Sequence, residues 1–198
     1  MSKSRITREH ILGRAFELAS EDGLESLTIG SLAKASEMSK SGVFAHFNSR
    51  ENLQIAVIEY ASDRFVERII QPVRLECYES YELKLRKLAE NWLNWNSNFQ
   101  GSCLFLDAWR STAGGETDEV QLTLQKVTVR WLDYLNRQFV AGCESGEFQQ
   151  GLDTWQAVYQ LYGVYLSSHL FRSMGKESVD AEMFWKGVDI LMSQCRRV

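Results

Sequence analysis

The chain has 198 residues, of which 44% are hydrophobic, 24% charged and 12% aromatic. This composition excludes a chain that is disordered by default, and the length suits one mid-sized domain or two small ones. Thirteen glycines and a single proline, Pro72, leave few turn residues for an all-β protein. We therefore predict an all-α fold.

The net charge of −4 argues against nucleic-acid binding, because contact with phosphates requires a basic surface. The charge is divided unevenly along the chain, however. Residues 1–50 carry a net charge of +1, and residues 51–198 carry −5. The first part of the chain therefore remains compatible with DNA binding, whatever the total charge.

The cysteines Cys77, Cys103, Cys143 and Cys195 lie far apart and form no C-x-x-C pair. No secretory signal precedes them, so we expect reduced thiols and a cytoplasmic location. No run of 18 apolar residues is present, and no membrane-spanning segment is expected.

The first predicted helix runs from Thr7, as its N-cap, to Asp22, and Gly23 follows as a stop signal. Apolar residues recur along it at helical spacing, at Ile11, Leu12, Ala15, Phe16 and Ala19. One face of this helix is therefore predicted to be buried.

Two short helices follow, one capped by Thr28 and one capped by Ser39. The three residues 36–38 between them are too polar and too few for anything but a turn. A longer helix followed by two short ones joined by a tight turn is typical of a DNA-binding helix-turn-helix, whose second short helix enters the major groove.

A fourth helix is predicted to begin with a capping-box-like pair, Asn48 and Glu51, and to be interrupted at Pro72. Its buried face is marked by Leu53, Val57, Ala61, Phe65 and Ile69. Glycines divide the rest of the chain into predicted helices at about 81–99, 103–113, 118–143, 154–172 and 179–196.

The segment Leu27 to Leu53, LTIGSLAKASEMSKSGVFAHFNSRENL, resembles the DNA-binding head of the TetR family of bacterial transcription regulators. The resemblance lies in the Thr-led helix, the Ser-Lys start of the next helix, the ending Phe44-Ala45-His46-Phe47 and the pair Arg50-Glu51, and it covers about residues 7–60. It implies a three-helix DNA-binding domain at residues 1–50 and a helical-bundle ligand-binding and dimerisation domain at residues 51–198.

By resemblance, nine residues are expected to contact double-stranded operator DNA. Lys40 can donate to guanine, Ala45 can touch a thymine methyl group, and Thr28, His46 and Arg50 would hold phosphates. A second interpretation stays open, since Thr28 is also favoured as an N-cap in any helical protein. The expected DNA-binding residues are Thr28, Ser39, Lys40, Ser41, Gly42, Phe44, Ala45, His46 and Arg50.

Two further features bear on this interface. The family usually has Tyr at the position of Phe44, and its hydroxyl contacts a phosphate, a hydrogen bond that Phe44 cannot make. Either a neighbour such as His46 or Arg50 then carries more of the binding, or the affinity is lower. Lys3, Arg5 and Arg8 can extend onto the flanking DNA.

The body carries all six tryptophans, and the resemblance implies that it encloses a small-molecule cavity. The expected ligand-binding residues are Trp92, Trp95, Phe99, Phe105, Trp109, Trp131 and Tyr134. The alternative is that most of these rings simply fill the core. Asp107, Arg110 and His169 can orient a polar ligand group or serve as structural residues.

The last two predicted helices have broad apolar faces, more than one small body needs to cover. We expect them to form a four-helix homodimer interface, which is also the usual dimer of the family. The residues of these faces are Trp155, Val158, Tyr159, Tyr162, Tyr165, Leu166 and Leu170 on one helix and Phe184, Trp185, Val188, Leu191 and Met192 on the other.

No catalytic site, metal site or cofactor is predicted. The histidines His10, His46 and His169 are scattered, and no nucleophile-elbow, Walker or dinucleotide-binding pattern is present. The leading hypothesis is a repressor that a small, largely apolar or aromatic effector releases from a palindromic operator. The alternatives are an effector-independent DNA-binding or architectural protein, and a small-molecule-binding protein or enzyme whose head no longer binds DNA.

Overall fold

The computed structural model describes residues 3–95, 103–111, 118–175 and 177–197. These residues are mostly helical and include no strand, only an isolated β-bridge between Phe148 and Arg196. The all-α prediction is confirmed. The α-helices are α1 (Lys3–Asp22), α2 (Ile29–Ala35), α3 (Lys40–Phe47), α4 (Arg50–Phe65), α5 (Gln71–Leu75), α6 (Tyr81–Leu93), α7 (Leu104–Ser111), α8 (Glu119–Glu144), α9 (Thr154–Ser173) and α10 (Glu177–Cys195).

Two further helical segments complete the chain path. A 3₁₀ turn at Leu24–Ser26 precedes α2, and a π-helical segment at Val66–Ile70 joins α4 to α5. The described residues form two compact units: the first contains those of 1–71 and 94–129, the second those of 72–93 and 130–198. The functional division at residue 50 is a different partition and stays a prediction.

The core of the first unit lies where α1, α2, α3 and α4 meet. The predicted inward residues of α1, Ile11, Leu12, Ala15, Phe16 and Ala19, are all buried, as are Leu53, Val57, Ala61, Phe65 and Ile69 of α4 and the π segment. Leu32 of α2 and Val43 and Phe47 of α3 complete this core. The two short helices are thus fixed on a rigid base.

Side-chain caps begin α2 and α3, as predicted. The Thr28 hydroxyl accepts a hydrogen bond from the Ser31 amide at 3.0 Å, and the Thr28 amide donates to the Ser31 hydroxyl at 2.9 Å. The Ser39 hydroxyl accepts from the Gly42 amide at 3.1 Å. The prediction of Thr7 as the first N-cap is wrong, because α1 begins four residues earlier, at Lys3.

The junction between α3 and α4 differs from the prediction by one residue. Asn48 is the C-cap of α3, with a left-handed φ of 63°, and Ser49 is the N-cap of α4, where it accepts from the Asn52 amide at 3.0 Å. Asn tolerates the left-handed conformation better than most residues. The two helices therefore join with no intervening loop, and Asn48 ends one helix instead of beginning the next.

Pro72 does not interrupt the fourth helix, contrary to the prediction. Proline has no amide hydrogen and its ring collides with the carbonyl four residues earlier in a regular α-helix. Here the preceding turns widen into the π segment, in which the Gln71 amide donates to the Val66 carbonyl, five residues back. This wider turn relieves the collision, so the helical path continues to Leu75.

The later helices follow the predicted ranges closely, with one exception. The helix predicted at 81–99 ends at Leu93, where the chain passes from the second unit into the first. Apolar spacing continues past Leu93, so periodicity alone does not reveal this end. Helices α7, α8, α9 and α10 begin and end within two residues of their predicted positions.

Candidate nucleic-acid interface

One face of α3 is exposed, and it carries most of the expected DNA-binding residues. Lys40, Ser41, Phe44 and Ala45 are exposed along two turns, and half of the Phe44 surface (51%) is accessible. The opposite face carries Val43 and Phe47, which are buried in the core. This arrangement presents a rigid helix face of the width that the DNA major groove admits.

Lys40 and Thr28 lie close together although 12 positions separate them. A Cβ built on Gly30 would lie 3.6 Å from Lys40 Cε and 3.8 Å from both Lys40 Nζ and Thr28 Oγ1. The lysine side chain therefore runs along the first turn of α2. Its ammonium group and the Thr28 hydroxyl face the same small region, where both can approach one anionic group.

Ser39, Gly42 and His46 complete the α3 surface. A Cβ on Gly42 would lie only 3.1 Å from Ser39 Oγ, so the glycine leaves room for the helix cap. Ser39 and Ser41 hydroxyls are 3.1 Å apart. The His46 ring is half-buried beside Phe47, with ring centroids 6.2 Å apart. These residues support the exposed face and leave part of the imidazole accessible.

Arg50 is bonded within the protein. Its guanidinium Nε donates to the Leu27 carbonyl at 3.2 Å, and Nη2 donates to the carbonyl of Glu25 and, at 3.1 Å, to its carboxylate. One turn later, the buried Gln54 amide donates to the Leu24 carbonyl at 2.9 Å. No local pattern in the sequence marks Gln54, because its contact spans 30 positions.

The basic N-terminal residues are described only in part. Arg8 is exposed, and its guanidinium lies 5.4 Å from the centroid of the Phe47 ring, within cation–π distance. The side chains of Lys3 and Arg5 lie outside the described residues. The expected arm onto flanking DNA therefore stays a prediction.

Part of the expected ligand-binding set forms an aromatic cluster in the second unit. Trp92 stacks on Tyr165 with ring centroids 3.8 Å apart and meets Trp131 edge-on at 5.2 Å. Trp131 stacks on Tyr134 at 6.1 Å. All four rings are buried, and burial raises the pKa of the Tyr134 hydroxyl. Tyr165 belongs to this cluster and was assigned by sequence to the dimer face instead.

The other expected ligand-binding residues lie in the first unit. Trp95 is buried against Phe65, with centroids 5.3 Å apart, and Phe105 meets Phe65 edge-on at 6.2 Å. Trp109 is partly exposed, and its indole nitrogen donates to the Thr128 hydroxyl at 3.2 Å. Phe99 and the side chains of Asp107 and Arg110 lie outside the described residues. Ligand binding by these residues stays a prediction.

Helices α9 and α10 pack on each other and leave an apolar outer face. Of the apolar residues predicted on these two helices, six are covered within the unit itself: Val158, Tyr165, Phe184, Val188, Leu191 and Met192. Periodicity marks an apolar stripe without saying which neighbour covers it. The outer face, here called the α9–α10 face, consists of the exposed residues Trp155, Tyr159, Leu166, Leu170, Phe171, Met183 and Ile190.

An apolar groove of about 310 Å³ crosses this region between α9 and α10. It is lined by Gly163, Val164, Ser167, Ser168, Phe171, Met183 and Phe184. The helices approach most closely at Gly187, where a Cβ would lie 2.8 Å from Val164 Cγ2. The α9–α10 face thus has a groove beside a tight helix crossing.

A second cavity of the same unit is polar. It has a volume of about 830 Å³ and lies beside the first turn of α6, where the Glu147 carboxylate accepts from the amides of Tyr81 and Glu82 at 2.7 and 2.8 Å. Arg196 and Arg86 both donate to the Glu82 carboxylate, and the Arg196 hydrogen bond holds the pKa of this carboxyl below its ordinary value. These bonds tie the start of α6 to the end of α10.

Metal sites and membrane spans are both absent from the described residues. No group of three or more His, Cys, Asp or Glu side chains in this part of the chain is arranged to hold a metal ion. No helix in the same residues has the length and apolar character needed to cross a membrane.

Comparison with known proteins identifies the family. Residues 11–57 match the family model described as bacterial regulatory proteins, tetR family. Residues 82–187, more than half of the chain, match the model of the tetracyclin repressor-like C-terminal domain. The chain belongs to the TetR family. The resemblance drawn from Leu27 to Leu53 is confirmed, and it extends over a body that the sequence motifs did not reach.

Individual relatives and solved structures that resemble the chain carry different names. The nucleoid occlusion factor SlmA of Marinobacter nauticus is 27% identical over 145 residues, which are 73% of this chain and 70% of that protein. A TetR regulator from Chloroflexus aurantiacus superposes with a TM-score of 0.86 at 18% identity over 100% of both chains. AibR, in complex with isovaleryl coenzyme A and operator DNA, gives a TM-score of 0.67 at 18% identity over 93% of this chain and 98% of its own.

The family membership establishes the general activity. The protein is a TetR-type transcriptional regulator with an N-terminal helix-turn-helix, and TetR-family proteins are DNA-binding regulators, not enzymes.

Proposed function

We propose that the protein is a repressor that binds a palindromic operator as a homodimer and is released by a small, largely apolar or aromatic effector. The observation that carries this proposal is the α3 face, where Lys40, Ser41, Phe44 and Ala45 are exposed together on a helix whose other side is buried. Small residues beside a lysine allow close approach to base edges.

Contacts with phosphate would surround this face. Lys40 Nζ and Thr28 Oγ1 face one region and are proposed to hold one phosphate, with His46 and Arg8 as further basic groups nearby. The negative net charge lies in residues 51–198, which carry −5. DNA would repel this part of each chain, so that binding is confined to residues 1–50.

A second copy of the chain is the proposed partner for the α9–α10 face. Tyr159 is 75% exposed, Leu170 58% and Ile190 60%. Several large apolar side chains exposed on two packed helices favour a protein interface, and two such helix pairs make a four-helix interface. A twofold dimer places one head on each half-site of a palindrome, which explains why the operator should be symmetric.

Effector binding is proposed for the aromatic residues of the body. AibR carries isovaleryl coenzyme A, and acyl thioesters are therefore among the first ligands to test. Within the first unit, α7 packs against the 3₁₀ turn at Leu24–Ser26. Because α7 carries Phe105 and Trp109, a ligand that displaces this helix would act on the segment that leads into α2.

An effector-independent DNA-binding protein is the second candidate. Two observations favour it: Trp92 is fully packed between neighbouring rings, as in a filled core, and one relative carries the name nucleoid occlusion factor. Thermal-shift screening with apolar and aromatic metabolites, including acyl thioesters, separates the two. A ligand that raises the melting temperature and weakens DNA binding supports the repressor, and a broad library without any such ligand supports the alternative.

The DNA-binding proposal is tested by Lys40→Ala, with Lys84→Ala of the second unit as the matched control. Fluorescence anisotropy with DNA from upstream of the gene measures the affinity of each variant. We expect Lys40→Ala to weaken binding by about tenfold, the cost of a base or phosphate contact of the lysine, and Lys84→Ala to leave it unchanged. Equal affinity of Lys40→Ala and the parent would remove α3 from the interface.

A further inference from the structure

Two side chains of α4 bind the same short piece of backbone. Arg50 and Gln54 are one helical turn apart, and between them they donate to the carbonyls of Leu24, Glu25 and Leu27. We propose that Arg50 and Gln54 are positioning residues that hold the entry to the helix-turn-helix, and that Arg50 does not bind a DNA phosphate. This inference rests on the proposed operator binding.

Gln54 has no route to DNA. Only 7% of the Gln54 surface is exposed, and its side-chain amide donates to the Leu24 carbonyl at 2.9 Å. Breaking this bond would leave a buried amide without a partner, which costs more than the bond itself contributes. The role of Gln54 is therefore confined to fixing the 3₁₀ turn.

Arg50 uses its planar guanidinium as a fork. Nε donates to the Leu27 carbonyl and Nη2 to the Glu25 carbonyl and carboxylate, so the edge formed by Nε and Nη2 is directed at residues 25–27. A guanidinium makes such paired bonds in a fixed geometry, which an ammonium group cannot reproduce. The Glu25 carboxylate also offsets the positive charge that a phosphate would need.

The held backbone lies directly before α2. Leu27 precedes Thr28, the N-cap of α2, so the bond to the Leu27 carbonyl fixes the chain one residue before the helix begins. Helix α2 in turn packs on α3. Loss of the two α4 side chains would therefore leave the apolar packing of the head intact and remove the polar bonds that set the direction of α2.

The salt dependence of binding separates a positioning residue from a phosphate contact. A side chain that neutralises a phosphate releases a counterion, so its removal lowers the slope of log K against log salt by about 0.9. A positioning residue contributes no counterion release. Its loss reduces the affinity for the specific duplex and leaves both the slope and the affinity for unrelated DNA unchanged.

The experiment uses the full chain and a duplex selected by the parent protein from a random-sequence library, with a shuffled duplex of equal composition as the non-specific probe. The variants are Arg50→Ala, Arg50→Lys and Gln54→Leu, and Lys87→Ala of α6 is the control that removes one positive charge elsewhere. Anisotropy titrations over a range of salt concentrations give affinity and slope, and circular dichroism melting gives the folded fraction.

We expect Arg50→Ala and Gln54→Leu each to weaken binding to the selected duplex by about tenfold, the order of magnitude of one lost hydrogen bond, with an unchanged salt slope. Arg50→Lys keeps the charge and should not restore affinity. Lys87→Ala should match the parent. These results together would distinguish positioning from loss of fold, because affinity for the shuffled duplex stays constant.

Three results would count against these assignments. A slope reduced by about 0.9 in Arg50→Ala, with affinity restored by Arg50→Lys, would make Arg50 a phosphate contact. Parental affinity in Arg50→Ala would show that the contacts of Arg50 do not position the head. A parent protein that selects no duplex would instead refute the proposed operator binding itself. If Gln54→Leu fails to fold, the two Arg50 variants still decide the outcome.

Discussion

The crossing of α9 and α10 at Gly187 offers a sharp test of the packing beneath the proposed dimer face. A Cβ at residue 187 would lie 2.8 Å from Val164 Cγ2 and 3.1 Å from Cγ1, well inside the usual carbon–carbon contact of about 3.5–4.0 Å. Valine has essentially one favoured rotamer in a helix and cannot turn aside. Gly187→Ala therefore forces the two helices apart.

The expected magnitude is a difference of two effects. Overpacking a well-packed contact costs about 1–3 kcal/mol, and replacing a helical glycine by alanine gains about 1 kcal/mol. The net result is a destabilisation of about 1 kcal/mol, or a melting temperature lower by about 2–4 °C for a chain of this size. Val164→Ala removes both methyl groups, so the double variant should recover about 1 kcal/mol relative to the sum of the single changes.

Urea unfolding at one fixed protein concentration measures these free energies, because the proposed dimerisation would make stability depend on concentration. Gly13→Ala is the matched control: its Cβ would lie 3.5 Å from the Tyr60 hydroxyl, an ordinary contact, and the change should stabilise the protein by up to about 1 kcal/mol. Sedimentation velocity should show a weaker dimer for Gly187→Ala. Equal stabilisation by Gly187→Ala and Gly13→Ala, without coupling to Val164→Ala, would refute the close crossing.

Three further predictions concern single groups. Phe44→Tyr should strengthen operator binding severalfold in anisotropy titrations, since the tyrosine hydroxyl supplies a hydrogen bond to a DNA phosphate that Phe44 cannot make. Unchanged affinity would mean that residue 44 faces away from the DNA backbone. Because Arg196 lowers the pKa of Glu82, the stability from this pair is present above the ordinary glutamate pKa and is lost as the pH falls below it, through the lowered pKa of the folded state. Urea unfolding of Glu82→Gln should therefore show a weaker acid dependence than the parent, and identical profiles would contradict this. Burial raises the pKa of the Cys195 thiol to about 11, so iodoacetamide at neutral pH should label the exposed Cys77 and spare Cys195 in the native protein, as read by peptide mass spectrometry, and equal labelling rates would contradict this burial.

The features that sequence predicted well are set by near neighbours. The Thr28 and Ser39 hydroxyls cap their helices by accepting a hydrogen bond from the amide three residues later. The buried stripe of α4 follows from the spacing of its apolar residues alone. Amphipathic spacing predicts that Val43 and Phe47 of α3 are buried. The exposed face of α3 is the opposite side of the helix. These local rules were enough to outline the head and to name the family.

The features that sequence missed depend on distant contacts. Arg50 was expected at a phosphate, and the bonds that the structure gives it go to Glu25 in the 3₁₀ turn and to Leu27 directly after it, 25 and 23 positions away. Tyr165 belongs to an apolar stripe that periodicity finds, but only packing shows that Trp92 covers it. Pro72 ends a helix by the local rule, and the widened turn before it overrides that rule.

Binding of the full-length protein to duplex DNA of its own upstream region, measured against a shuffled duplex of equal composition, tests operator recognition most directly. A TetR-type repressor should bind the upstream duplex about a thousandfold more tightly, as two chains per duplex, with an affinity that falls as salt rises. Equal affinity for the two duplexes at every salt concentration would contradict sequence-specific binding through the α3 face.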